Sequence, residues 1–121
     1  MKMYWVEEPI LHTSLRFIRG GTHEQALAEL KHLGVKEDRL KEMTGDARKG
    51  FCWDCQPDDH EKGMSFRMIW VKDNSLATLV HEITHLVMFT FDSAGIPIRE
   101  VNSEIFAYHM EFWFNKLRQL K

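Results

Sequence analysis

The chain reads as one α+β domain: a short sheet of three or four strands packed against helices, within 121 residues. Three observations carry that reading. Apolar side chains alternate at period two from Thr13 to Ile18, Phe51 to Cys55 and Ser65 to Val71, as strands with one face on a core require. The spacing switches to helical between Leu76 and Thr90, and again from Phe106 to Leu120. A mass of 14.3 kDa provides for a single core with little material beyond it.

Taken in order, Tyr4 to Arg19 predicts a short extended piece, a break at Pro9 and a strand over Thr13 to Ile18. Gly20-Gly21 ends it. Thr22-x-x-Gln25 then predicts a capping box that opens a helix through Ala26, Leu27, Leu30 and Leu33, stopped by Gly34. A second short helix over Lys36 to Met43 has only Leu40 and Met43 as apolar anchors, so it should be mostly exposed, and Thr44-Gly45-Asp46 turns the chain. Phe51 to Cys55 and Ser65 to Val71 form a hairpin around a polar loop. Asp73 or Asn74 should cap the next helix, which ends near Ser93-Ala94-Gly95. The last helix runs from about Asn102 to Leu120, with Phe106, Met110, Trp113, Leu117 and Leu120 as its core stripe.

Composition excludes several function classes. A formal charge of -2 gives no footprint for a polyanion, so nucleic acid is not an expected partner. The N-terminal stretch places Glu7 and Glu8 where a signal peptide needs apolar residues, and Leu76 to Phe91 is too short and too polar to span a bilayer. A cytoplasmic protein without a membrane partner is expected. Cys52-Trp53-Asp54-Cys55 cannot form a secreted-type disulfide framework, and on a strand its two thiols point to opposite faces, so metal or redox use is the minor expectation. His12, His23 and His32 have no partners at metal spacing. The tryptophans read as core.

Chemistry concentrates at His81-Glu82-Ile83-Thr84-His85. Imidazoles at i and i+4 lie one turn apart on one helix face, where both can converge on a tetrahedral zinc ion. Glu82 sits about 100° around the helix, within reach of a water on such an ion without being a ligand. Between Ser75 and Phe91 Glu82 is the only formally charged side chain, so the helix is expected to be buried on both sides. A catalytic zinc usually takes three protein ligands. Glu104, nineteen residues after His85, is the choice, because Glu104, Tyr108 and Glu111 form a polar face on an otherwise apolar helix. A solvated glutamate in a first helical turn is the plain alternative.

His81-Glu82-x-x-His85 followed by Glu104, within Asn102-Ser103-Glu104-Ile105-Phe106-Ala107-Tyr108, resembles the gluzincins, zinc metallopeptidases whose third ligand is a glutamate on the helix after the HExxH helix. The element order is similar to that of minimal single-domain members. The Glu-x-Phe-Ala pattern is similar to that of metallopeptidases that cleave phage repressors, and of small zincin-like proteins encoded by phages. The specific match covers roughly residues 65 to 112. It implies a small zincin-like domain, zinc on His81, His85 and Glu104, and Glu82 as general base. Tyr108 stands where thermolysin-like members carry an aspartate that orients a histidine, which leaves Glu111 as a substitute. Tyr108, His109 and His60 are the stand-ins for the residue that stabilises the transition state in larger members.

The expected activity is zinc-dependent hydrolysis of a peptide or protein substrate. Glu82 would accept a proton from the attacking water and pass it to the leaving amine, Tyr108 would stabilise the oxyanion, and the edge of the strand Ser65 to Val71 would hold an extended peptide. A second expectation stands beside it: with so little chain to wall a deep pocket, the fold could serve as a zinc-stabilised binding module without turnover.

Overall fold

A computed structural model describes residues 1–43 and 49–121. The turn expected at Thr44-Gly45-Asp46 lies outside the described residues. The strands are β1 (Lys2–Glu8), β2 (Thr13–Arg19), β3 (Gly50–Cys55) and β4 (Phe66–Val71). The main helices are α1 (His23–His32), α2 (Glu37–Leu40), α3 (Leu76–Ala94) and α4 (Ser103–Leu117). The sheet order is β1-β2-β4-β3, with β2 and β4 parallel and both outer pairs antiparallel.

Side chains alternate across the pleat, so the sheet carries two cores. Leu15, Phe17, Ile69 and Val71 face α3 and α4, meeting Leu79, Ile83, Leu86, Trp113 and Leu117. Ile18, Met68 and Trp70 face the other way, with Ala26 and Leu30 of α1. Cys52 packs against the first cluster and Cys55 lies within the second, both as free thiols, so the cysteines do point to opposite faces. Burial, and then the negative charge of Asp59, pushes the Cys55 thiol up to about 11.

The capping box forms as read: the Gln25 amide donates to Thr22 Oγ1 at 3.1 Å, and the Thr22 amide to Gln25 Oε1 at 2.9 Å. Gly34, at φ +100°, ends the following turn beneath the His60 ring, which a Cβ at that position would strike. His60 itself is bound up: one ring nitrogen lies 2.8 Å from the Leu33 carbonyl, and the other accepts from the Lys62 amide. Its role is to join the loop after β3 to the end of α1.

Three expectations need correction. Strand β4 is interior, paired with β2 and β3, so its edge cannot receive a peptide; the outer strand beside α3 is β3. Helix α3 is capped by Ser75, whose Oγ accepts from the Thr78 amide, while Asp73 receives the Ser75 amide one step outside. It is also buried on one side only: Ala77, Val80, His81, His85 and Met88 are exposed. Helix α4 meets the core through the stripe expected of it, Trp113 and Leu117 buried with Phe106, Met110 and Leu120 packed against the same cluster, and the buried His109 joins them at i−4 from Trp113.

Arg19 closes the fold. From the end of β2 its guanidinium donates to the carbonyls of Leu117 (3.3 Å) and Leu120 (2.8 Å) at the end of α4, and to the Asp73 carbonyl (2.8 Å) and Asn74 Oδ1 (3.2 Å) before α3. The α4 carbonyls are the negative end of the helix dipole, which favours a cation there. Replacing Arg19 by Met keeps much of the stem and removes every donor, stranding these acceptors. We expect urea unfolding to report a loss of about 3 kcal/mol, since hydrogen bonds to a charged group contribute about 1.5–3 kcal/mol. A loss below about 1 kcal/mol would show that water replaces the clamp.

Candidate metal centre

Helix α3 is the element that makes the site. Leu79, Ile83 and Leu86 seat it on the sheet, which turns His81 and His85 outward and Glu82 sideways toward β3. One donor atom from each of His81, Glu82 and His85 lies within 4.8 Å of the others. The imidazole centroids are 4.9 Å apart with planes at 73°, and Phe89 stacks on His85 at 6.2 Å. Two accessible imidazoles at one-turn spacing, with a carboxylate beside them, form a nitrogen and oxygen donor set suited to zinc.

A cleft of about 730 Å³ opens between this face and the strand beside it, lined by Lys49, Gly50 and Cys52 opposite Thr78, His81, Glu82, His85 and others. Glu82 is only 6% exposed, at the back of that cleft. The absence of a side chain at Gly50 is what admits it. A Cβ there would stand 2.8 Å from the Trp70 carbonyl, 3.0 Å from Thr78 Cγ2 and 3.3 Å from Glu82 Oε2. Cys52, two residues along, faces the same space, and its thiol is pushed well up by burial first and then by the charge of Glu82.

Glu104 is not brought to this group. It is exposed in the first turn of α4, and among the described residues no further His, Cys, Asp or Glu joins the three at that spacing. Glu111 is likewise exposed. Tyr108 lies elsewhere: its hydroxyl is 3.3 Å from Glu8 Oε2, and it does not line the histidine cleft. The sequence reading missed Gly50 and Phe89. The latter continues the i, i+4 row Ala77, His81, His85, so helical spacing alone signalled it.

Tyr108 belongs to a second polar cluster, which sequence reasoning missed altogether. Glu8 and His109 are both fully buried. Glu8 accepts from the Ile10 and Leu11 amides at 2.7 Å each, and its Oε1 is 3.2 Å from His109 Nε2. His109 Nδ1 faces the Ile105 carbonyl at 2.8 Å. Each ring nitrogen of His109 thus has a hydrogen-bonding oxygen beside it, so the buried ring is held at both ends. It ties the β1–β2 turn to α4.

No protein-family profile, curated protein or solved structure matches the chain. The site therefore rests on its own geometry. No described helix is long and apolar enough to cross a membrane.

The buried pair yields a pH prediction. Burial alone would raise the Glu8 pKa, but the Leu11 and Ile10 amides and His109 together outweigh it and hold the carboxyl below its ordinary 4.5. A depressed carboxyl contributes stability that is present above its unfolded pKa and lost as pH falls through the folded one. Glu8→Gln should be less stable by about 3 kcal/mol at pH 7, as for a broken buried pair. Its deficit should shrink as pH drops through and below 4.5. Chemical denaturation at several pH values measures this, and a deficit constant down to strong acid would contradict the assignment.

Proposed function

We propose that the protein is a zinc-dependent peptide hydrolase centred on His81, Glu82 and His85. The observation that supports this most is the division of labour on α3, with two exposed imidazoles at metal spacing and the carboxylate between them withdrawn into the cleft wall. His81 and His85 would hold the ion, and Glu104 is the proposed third ligand, reached by adjustment of the first turn of α4. A bound zinc would supply Lewis acidity and bring a water's pKa toward ~7.

Glu82 then serves as the base. Its carboxylate sits beside both donor rings and next to Gly50, on the wall of the cleft. It would take the proton from the attacking water and return it to the leaving amine. A peptide would lie extended along β3, the outer strand, using backbone groups that no neighbouring strand among the described residues takes up. Tyr108 has no place in this scheme, because its hydroxyl serves Glu8.

The second reading is a zinc-stabilised binding module without turnover, resembling the small phage-encoded zincin-like proteins. It is favoured by the position of Glu104 outside the donor group, which leaves two imidazoles as the assembled ligands.

Glu82→Gln separates the two. The substitution keeps size and hydrogen bonding but removes the base, so zinc content should survive while cleavage of a diverse peptide library falls at least about a hundredfold, within the ~10²–10⁴ typical of general-base catalysis. His81→Ala should lose the metal. Identical peptide profiles from wild type and Glu82→Gln, both holding zinc, would sink the hydrolase reading.

A further inference from the structure

The outer face of α3 is unlike the surface of an ordinary amphipathic helix. Its only charged residue between Ser75 and Phe91, Glu82, points inward at 6% exposure. From Leu76 to Met88 what faces solvent is apolar or neutral: Leu76 is 56% exposed, Val80 41% and Met88 46%, alongside His81 and His85, and the first charge on that row is the exposed Asp92 in the last turn. A solvated helix carries charges on that side, and an uncharged one marks a surface that is covered.

We propose that a second copy of this chain covers it, with zinc shared between the two His81–His85 pairs. Two features select this occupant. Each copy turns two imidazoles outward, the third donor of the group, Glu82, being withdrawn into the cleft wall, while tetrahedral zinc takes four donors. The face is also self-complementary when turned end for end. Leu76, Val80, Thr84 and Met88 form one row at four-residue spacing, and His81 and His85 lie in the next. An antiparallel copy brings Leu76 opposite Met88 and Val80 opposite Thr84, while His81 meets the second copy's His85.

Other partners fit less well. Nucleic acid or an acidic peptide would find no cation on α3 itself, only Lys49 across the cleft and Arg118 and Lys121 beside Leu76, and a membrane-surface helix carries a Lys/Arg rim of its own that α3 lacks. The contact spans Leu76 to Met88, about 20 Å of one helix, which is short for an interface that must hold unaided. The dimer therefore depends on the metal.

The inference rests on the reading of His81 and His85 as zinc donors, and it assigns regulation to that site. The shared ion has its four positions filled by imidazole and the cleft is covered, so the dimer is a closed, resting form. Hydrolysis belongs to the monomer.

The test is sedimentation velocity of the full chain with zinc chloride as the probe, titrated from zero to several equivalents and followed by chelator. The protein should be a 14.3 kDa monomer without zinc and double in mass near about half an equivalent per chain. Chelator should reverse the change. His81→Ala should stay monomeric. Val80→Lys with Met88→Lys, both surface changes that leave the donors intact, should keep its thermal unfolding temperature and bind zinc as a monomer. Mass that stays at the monomer value at every zinc level, a dimer indifferent to chelator, or a wild-type dimer holding one zinc per chain would each overturn the proposal. These outcomes are independent of the Glu82→Gln assay: a monomer that hydrolyses peptides with one zinc refutes only the shared ion. A zinc-bridged dimer whose dilute monomer is inert refutes only the hydrolase.

Discussion

The Arg19 guanidinium is the constraint on which the placement of the site depends. Helices α3 and α4 meet along one flank, and nothing in their own sequences sets where α4 ends relative to the start of α3. A largely buried cation must be fully paired, and the acceptors within its reach are the last carbonyls of α4 and the backbone and side chain just ahead of Ser75. That end of the helix pair is thereby fixed to β2. The opposite end, where Glu104 lies, is held more lightly, by the Phe91–Phe106 ring contact at 5.5 Å and the Asn102 side chain donating to the Pro97 carbonyl. An adjustment that carries Glu104 toward the imidazoles belongs at this end, away from the clamp.

The second constraint is the close seating of α3 on β3. A carboxylate taken out of water costs free energy, and of the two charged positions on α3, Glu82 and Asp92, it is Glu82 that is buried while Asp92 stays in water. Gly50 permits this seating, because a Cβ there would strike the Trp70 carbonyl and crowd Thr78 and, less closely, Glu82. The same seating brings Cys52 to the cleft. There burial, and then the charge of Glu82, pushes its thiol pKa well up.

How much was legible in the sequence follows from how local each feature is. Capping chemistry is contained within four residues, so the Thr22–Gln25 box was read correctly. The relation of His81, Glu82 and His85 is fixed by helical pitch, and period two alone sends Cys52 and Cys55 to opposite faces. Strand order is not local: nothing in Ser65 to Val71 distinguishes an edge strand from one enclosed by β2 and β3. The Glu8–His109 pair joins residues 101 positions apart, and no spacing rule reaches that far. The core stripe of α4 was legible from its spacing, whereas the buried His109 was left out of it, because a buried partner for that histidine could not be seen.

The uncharged face of α3 is where the two parts of the functional argument meet. From the sequence, the lack of charge between Ser75 and Phe91 argued for a helix covered on both sides. The fold covers only one. The proposed peptide along β3 would cover part of that face and the proposed second copy of α3 would cover the whole of it; both would pass over His81 and His85, so they would exclude one another. A peptide engages the cleft side of the histidine row, next to Gly50 and Cys52, and leaves Leu76 and Val80 in water. A second copy buries that apolar row as well. In the proposed cleavage at β3 the apolar row would have no use, and its presence beside His81 and His85 is the feature that favours a covering partner in addition to a substrate.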